Sequence, residues 1–279
     1  MRIPPKITQA LAVLILGTAT LVTVVVLVLI IAFVLKRGVP EISWEFLSTK
    51  PQEMGKAGGI LPTIVGTVLL PLIAIVIALP MGVGTAVYLS EYTRENRVTK
   101  IIRFGTDCLA GIPSIIFGLF GYIFFVTILG MGWSMLSGGL TLAIMILPTI
   151  IRTSEEAIRA VPQAYREVSC SLAATSWETV HKVVLPNALP GIMTGVMLGI
   201  GRSIGETAAV IFTAGSSLMM PTSLNDSVRT MSVHFYLLAR EGISNEKAYA
   251  TAAVLVFAVL FVNLTAYWMM NRSIAKRSS

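Results

Sequence analysis

Apolar residues gather into six long runs along the chain, and the short segments between them hold almost all of the charge. The runs are Ala10–Leu35, Ile60–Leu89, Leu109–Leu129, Leu140–Ile151, Ala188–Ala214 and Ala248–Met270. A helix that crosses the hydrocarbon core of a bilayer needs about 20 apolar residues. Each run therefore predicts one span, although the fourth is long enough only if Met131–Gly139 supply its outer end. Arg2 and Lys6 precede the first run as in a signal peptide. That run is much longer than the roughly 7–15 residues of a signal h-region and lacks a small-x-small cleavage site, so it predicts a retained span. The expected fold class is an all-α integral membrane protein of six transmembrane helices. Its parts are an N-terminal segment 1–9, a first helix 10–35, an outer loop 36–59, a five-helix core 60–270 with an inner loop 152–187, and an inner tail 271–279.

Composition agrees: 55% of the 279 residues are hydrophobic and 13% are charged, against about 25% charged in a soluble domain. With the N-terminus inside, the inner segments hold thirteen Lys and Arg residues and the outer loops seven. The inner set includes Arg94, Arg97, Lys100, Arg103, Arg152, Arg159, Arg166 and Lys182, and the outer set includes Lys36, Arg37, Arg229 and Arg240. This bias places both termini in the cytoplasm. The net charge of +7 is thereby mostly a topological signal. A nucleic-acid partner would need a basic face on a soluble domain, and no run of this chain predicts one. Cys108 and Cys170 both fall on the inner side, where thiols stay reduced. His181 and His234 are expected in loops on opposite sides, without a second ligand at helical spacing. No metal or cofactor is expected.

The inner loop 152–187 does not read as a linker. It has no Gly, and its only prolines are Pro162 and Pro186. Apolar positions recur at helical spacing at Tyr165, Val168 and Leu172, then at Trp177, Val180, Val183 and Val184. This pattern predicts an amphipathic helical hairpin at the membrane surface. Glu155, Glu156, Glu167 and Glu178 balance its basic residues, which weakens attraction to lipid headgroups and favours docking of another protein. No Gly-x-x-x-x-Gly-Lys-Ser/Thr motif occurs. The one Gly-Lys pair, Gly55-Lys56, is followed by Ala and lies on the outer side, so nucleotide hydrolysis through a P-loop is not expected of this chain.

The stretch from Arg166-Glu-Val-Ser-Cys-Ser-Leu-Ala-Ala-Thr-Ser-Trp177 to Val184-Leu-Pro-Asn-Ala-Leu-Pro-Gly191 resembles the cytoplasmic signature loop of ABC-importer permeases. Four further stretches narrow the resemblance. They are Gly58-Gly-Ile-Leu-Pro-Thr-Ile-Val-Gly66 with the closing Tyr88-Leu-Ser-Glu-Tyr92, Leu109-Ala-Gly-Ile-Pro-Ser-Ile-Ile-Phe-Gly118, Gly201-Arg-Ser-Ile-Gly-Glu-Thr-Ala208 and Tyr236-Leu-Leu-Ala-Arg-Glu241. Together they are similar to permeases of the phosphate-specific transport system, and the last is closer to the PstA-type subunit than to the PstC-type. The resemblance covers about residues 58–277. It implies a type I ABC-importer permease fold with cytoplasmic coupling helices. It also implies a homologous PstC-type permease partner, a dimeric PstB-type ATPase, a PstS-type phosphate-binding protein and inorganic phosphate as cargo, in a lipid membrane. By position it implies ATPase coupling through Glu167, Ala173, Leu185 and Pro186, and the apolar face around Leu172 and Trp177 is expected to share in it. Ala173 stands where the family motif has Gly. A Gly there would favour a left-handed turn, a conformation that costs Ala energy.

Arg202 and Glu206 are the charged pair inside the fifth run. About 22 Å of helix separates Asn187 from Arg202, which puts the arginine deep in the hydrocarbon layer. A charge there faces a bundle interior or a wet cavity. Arg stays ionised and forks two hydrogen bonds to a phosphate. Glu206 is expected one turn on, on the same face, to pair with the arginine whenever no anion is present. Ser203 and Thr207 could add hydroxyl donors. Alternatives are an ion pair with only a structural role, a permease for another oxyanion (phosphonate, sulfate or molybdate), an ion-coupled secondary transporter, and a non-transporting membrane sensor. The Gly195, Gly199, Gly201 and Gly205 series predicts small faces for close helix approach.

The topology is directly testable. Cysteines at Gly55 and Ser244 should be labelled from outside in intact cells, and cysteines at Arg97 and Ser278 only after permeabilisation. Labelling of Arg97 from outside would invert the assignment.

Overall fold

The computed structural model describes the backbone of residues 5–278, and the side chains of residue 9 and residues 11–268. The basic side chains of Arg2, Lys6, Arg272, Lys276 and Arg277 lie outside the described side chains.

The chain is helical nearly throughout, as the apolar runs require: with no water in hydrocarbon, a spanning segment satisfies its backbone only as a helix or a closed barrel. Helix α1 (Pro5–Gly38) is followed by the short α2 (Trp44–Ser48) and a two-residue antiparallel strand pair, Pro51–Gln52 with Ala57–Gly58. Then come α3 (Leu61–Val87), α4 (Arg97–Ala110), α5 (Ser114–Gly121), α6 (Met135–Arg159), α7 (Gln163–Ser171) and α8 (Ser176–Thr179). The last four are α9 (Leu185–Ile204), α10 (Ala208–Thr213), α11 (Met231–Arg240) and α12 (Asn245–Ser278). Wider π-helical turns extend α3 through Tyr88–Tyr92 and α5 through Tyr122–Ile128, and join α8 to α9 through Val180–Val184.

Five helices are long and apolar enough to cross a membrane, and a sixth span is reached when the bent pair α4–α5 counts as one. This is where the structure differs most from the hydrophobic pattern. The third run was expected as a straight span from Leu109. Instead the chain turns by 101° between α4 and α5, at Gly111-Ile112-Pro113. Proline cannot donate the next helical hydrogen bond, and the residue before it is pushed out of the helical region. A Cβ on Gly111 would meet only the backbone of its own helix, so this glycine serves the bend and not helix packing. The fourth span gains length at both ends, from Met135 to Arg159. Thus the first residues of the expected inner loop are the last turns of α6. The sixth span likewise continues as helix to Ser278.

The core forms between α3 and α6, with α9 and α10 against it. Leu70, Ala74 and Ala78 of α3 face Leu142, Ile146 and Ile150 of α6, all fully buried. Small residues permit the approach: a Cβ on Gly195 would collide with Thr153 of α6, and one on Gly121 with Thr141. Gly201 has open space around it and Gly205 meets only its own helix, so the expected small face ends at Gly199. α1 stands outside this core with its apolar side chains exposed, as a lipid-facing helix does. Among its described residues, the C-terminal end is fastened. Gly38 lies against the backbone of Tyr249 in α12, and the Arg37 guanidinium sits 4.8 Å from the Phe33 ring and 5.6 Å from that of Tyr249.

Candidate functional site: a docking hairpin and a broken span

The hairpin between α6 and α9 comes first, because its parts are visible in the sequence. α7 ends in a left-handed turn at Ala173, with φ +60°. The Ala173 N–H donates to the Cys170 carbonyl at 2.9 Å and the Ala174 N–H to Ser169 at 3.2 Å. These two bonds are the Schellman pattern that normally recruits Gly. The turn expected of Gly is thus made by Ala, and the two hydrogen bonds offset its strain. Thr175 then starts α8 with a reciprocal capping box to Glu178. The Thr175 backbone N–H, Lys182 and the Thr175 hydroxyl hold the Glu178 carboxyl at about 2, well below its usual 4.5. A depressed carboxylate pKa stabilises at pH above the unfolded value and is lost only as pH falls toward the folded one. The cap is therefore fully charged near neutrality.

The apolar positions of the hairpin do not share one face. Tyr165, Val168, Leu172 and Trp177 point away from the bundle, with Leu172 79% and Trp177 65% exposed. Val180 and Val184 are buried, Val184 packing beside Ile158 and Ala188. The first group is an apolar patch around a tight turn; the second is an anchor. Glu167 is exposed beside the patch, and Leu185 and Pro186 begin α9 under the anchor. His181 is not in a loop: it stacks on Trp177, with centroids 5.7 Å apart and planes 8° from parallel. Cys108 and Cys170 are free and exposed.

One ion-pair network braces α6 beside the hairpin, and one further pair ties the hairpin itself. Arg103 bridges Glu155 at 2.9 Å and Glu95 at 3.2 Å, and Arg159 adds a 2.8 Å bond to Glu155. Arg166 reaches Glu91 at 2.6 Å, with both side chains largely buried.

The fifth span is broken where the sequence predicted continuity. α9 ends at Ile204, Gly205–Thr207 leave the helical ladder, and α10 resumes at Ala208. Glu206 consequently does not sit one helical turn above Arg202 to pair with it. Its carboxylate turns the other way and accepts from the Ala209 N–H at 3.1 Å, satisfying a free donor at the start of α10. Its carbonyl accepts from the Ser232 hydroxyl of α11 at 2.7 Å. Arg202 is half-buried and takes part in none of the ion pairs formed among the described residues. The Ser203 hydroxyl beside it is buried with no hydrogen-bond partner there. Thr207 faces a cleft of about 610 Å³ that it shares with Ile115, Ile211, Phe212, Tyr236 and Arg240. Tyr236 and Arg240 were not expected as site residues. The Arg240 guanidinium donates to the Tyr236 hydroxyl at 3.0 Å. Their only sequence signal was family likeness in Tyr236–Glu241. His234, expected in a loop, is buried in α11. Burial, and next the Arg229 charge, push it down to about 4, so its neutral Nδ1 accepts from Arg229 at 3.3 Å.

Residues 78–278 match the family model described as "Binding-protein-dependent transport system inner membrane component". Among characterised sequences, the chain is 35% identical over 280 residues to the probable ABC transporter permease protein YqgI of Bacillus subtilis, covering 95% of each. It is 32% identical over 234 residues to the phosphate transport system permease protein PstA of Pasteurella multocida, covering 82% of each. Among solved structures, the bacterial importer of the acidic polysaccharide alginate aligns with TM-score 0.68 at 17% identity, over 96% of each chain. The inward-facing MetNI methionine transporter aligns with TM-score 0.61 at 20% identity, over 77% of this chain and 94% of that one. The fold is that of a type I ABC-importer permease.

Ala173→Gly should stabilise the hairpin by roughly 1 kcal/mol, because a left-handed Ala carries that cost. The apparent unfolding midpoint of the detergent-solubilised protein should then rise by roughly 2–4 °C. An unchanged or lower midpoint would show that the turn is not strained.

Proposed function

We propose, from the premise that this chain belongs to the binding-protein-dependent transport system inner membrane component family, that it is the PstA-type permease subunit of an ATP-driven importer of inorganic phosphate. Members of that family are multi-pass inner-membrane permeases that work with an ATPase and a substrate-binding protein. The reading here is finer. The partners are a PstC-type permease, a PstB-type ATPase dimer and a PstS-type binding protein, and both termini lie in the cytoplasm. Phosphate as cargo is supported by PstA relatives of 30–32% identity over most of the chain.

The observation that carries the ion path is the break at Gly205–Thr207 beside an arginine with no ion pair among the described residues. A charge at membrane depth is costly, and Glu206 does not neutralise this one. Arg202 provides a fixed positive charge that suits a passing oxyanion, and Ser203 and Thr207 provide hydroxyls on either side of the break. Arg240 and Tyr236 line the cleft that Thr207 faces, so a second cationic group lies on the Thr207 side of the break. Glu206 acts through the backbone: by capping α10 and receiving Ser232 it holds the break open. Its role is thus to shape the path, in place of the alternating partnership expected from the sequence.

The hairpin is the ATPase contact. Leu172 and Trp177 present apolar area next to Glu167, and Leu185 and Pro186 carry the hairpin's position into α9. Hydrolysis belongs to the partner, and this chain contributes the docking surface and the path.

The test is uptake by the four-component complex in proteoliposomes with ATP inside the lumen that corresponds to the cytoplasm. Phosphate should enter and an equal concentration of sulfate should not. Arg202→Gln should lower phosphate uptake about ten- to a hundredfold, the worth of a charge-assisted hydrogen bond, while the complex still assembles. Sulfate uptake equal to phosphate would replace the cargo, and normal uptake by Arg202→Gln would remove the arginine from the path.

A further inference from the structure

The docking hairpin and the broken span lie at different depths of the bundle, and α3 touches the neighbours of both. At the hairpin end the contact is the Arg166 guanidinium. Its Nε donates to both Glu91 carboxylate oxygens at 3.2 and 3.1 Å, and its Nη2 to Glu91 Oε1 at 2.6 Å. The same group donates through Nη1 to the Val161 carbonyl at 2.8 Å and through Nη2 to Ile158 at 3.0 Å. One side chain thereby fastens the end of α6, the body of α7 and the π-helical end of α3. Arg166 is 15% exposed and Glu91 12%, unlike the solvated pair Arg152–Glu156, which is more than half exposed. An exposed pair contributes little; a buried one leaves an uncompensated charge when a partner is lost. Arg166 also adjoins Glu167 in sequence, so a displacement of the docking surface acts on this joint.

Toward its other end, α3 holds the start of α11. Thr67 Oγ1 donates to the Thr63 carbonyl at 2.7 Å and accepts from the Met231 N–H at 2.8 Å. One turn of contact tightens this: a Cβ on Gly66 would lie 2.7 Å from the Arg229 carbonyl. The next residue after Met231 is Ser232, whose hydroxyl holds the Glu206 carbonyl at the break. Between the two joints α3 spans about 36 Å at helical rise. It is packed along that length against α6 through Leu70, Ala74 and Ala78, and close packing transmits a displacement instead of absorbing it.

We propose that α3 is the lever of this permease: Glu91–Arg166 is its joint at the docking hairpin, Thr67–Met231 its joint at the break, and movement of the hairpin reaches Gly205–Thr207 through it. Glu91, Arg166 and Thr67 are positioning residues. Their side chains are part of neither the exposed patch nor the cleft lining. The inference rests on the reading that the break lies on the ion path. The ion pair could merely staple the bundle, and the experiment has to separate the two.

Glu91→Gln, Thr67→Val and the double variant are made in the full complex and reconstituted. Co-purification of the ATPase, ATP hydrolysis, and phosphate moved per ATP are measured together. The lever predicts intact association and continued hydrolysis, with phosphate per ATP reduced about fivefold or more in each single variant, within the range of coupling along such networks. It also predicts a double variant no worse than the poorer single one, because both changes cut the same linkage. Glu91→Asp, which keeps the charge, should recover most of the ratio. Hydrolysis and uptake falling in proportion, or independent multiplicative losses in the double variant, would overturn the lever and leave a staple. If Glu91→Gln fails to assemble, Thr67→Val decides, since it removes one hydrogen bond and keeps the shape. The unmodified complex is the control for the underlying function: no phosphate uptake there sinks the transport reading, whereas normal uptake with an unchanged ratio in the variants sinks only the lever.

Discussion

Within hydrocarbon every backbone donor and acceptor needs a partner supplied by the protein, and the break in the fifth span is where this constraint bears hardest. Interrupting a helix at Gly205–Thr207 frees donors at the start of α10 and acceptors at the end of α9. Glu206 answers for the first with its carboxylate on the Ala209 N–H, and Ser232 answers for its carbonyl. α11 comes close enough to lend that hydroxyl, which favours the break. α11 is in turn fixed by Thr67 of α3. The same capping that stabilises the break uses up Glu206 as a partner for Arg202. An arginine with no ion pair among the described residues, at the edge of a satisfied break, is a consequence of helix chemistry, and it is the feature on which the proposed transport of an anion rests.

The opposite end of the bundle solves a different problem. On the proposed reading the demand there is stiffness between the docking patch and the spans. Arg166 meets it with one guanidinium whose donors are divided between a carboxylate and two carbonyl groups. The Ala173 turn and the Thr175–Glu178 capping box keep α7 and α8 at a fixed angle. The outward patch at Leu172 and Trp177 stays exposed because Val180 and Val184, on the following turns, are taken by the bundle.

Much of this was legible in the residues. Long apolar runs specify spans through length alone, and five of the six predicted runs coincide with a spanning helix or a large part of one. The apolar spacing of 165–184 revealed the hairpin, and family likeness suggested the role proposed for it. Three features were hidden. The 101° bend at Gly111–Pro113 lies inside a region where hydropathy is blind to direction. The break at Gly205 has no proline to mark it, and its cap needs Ser232, which is distant in sequence. Arg240 and Tyr236 reach the Thr207 cleft only through the fold of the segment after α10. In the last two cases the deciding contact is between residues that no local pattern connects.

The account's central claim is that phosphate passes the break between α9 and α10. The most direct measurement uses a chain with Cys108→Ser, Cys170→Ser and Thr207→Cys, assembled with its partners. The rate at which a water-soluble anionic thiosulfonate modifies position 207 is followed during ATP turnover. The account predicts that the cysteine reacts, and that phosphate slows the reaction while an equal concentration of sulfate does not. A cysteine that stays inert in every state, or one modified at the same rate with and without phosphate, would contradict it.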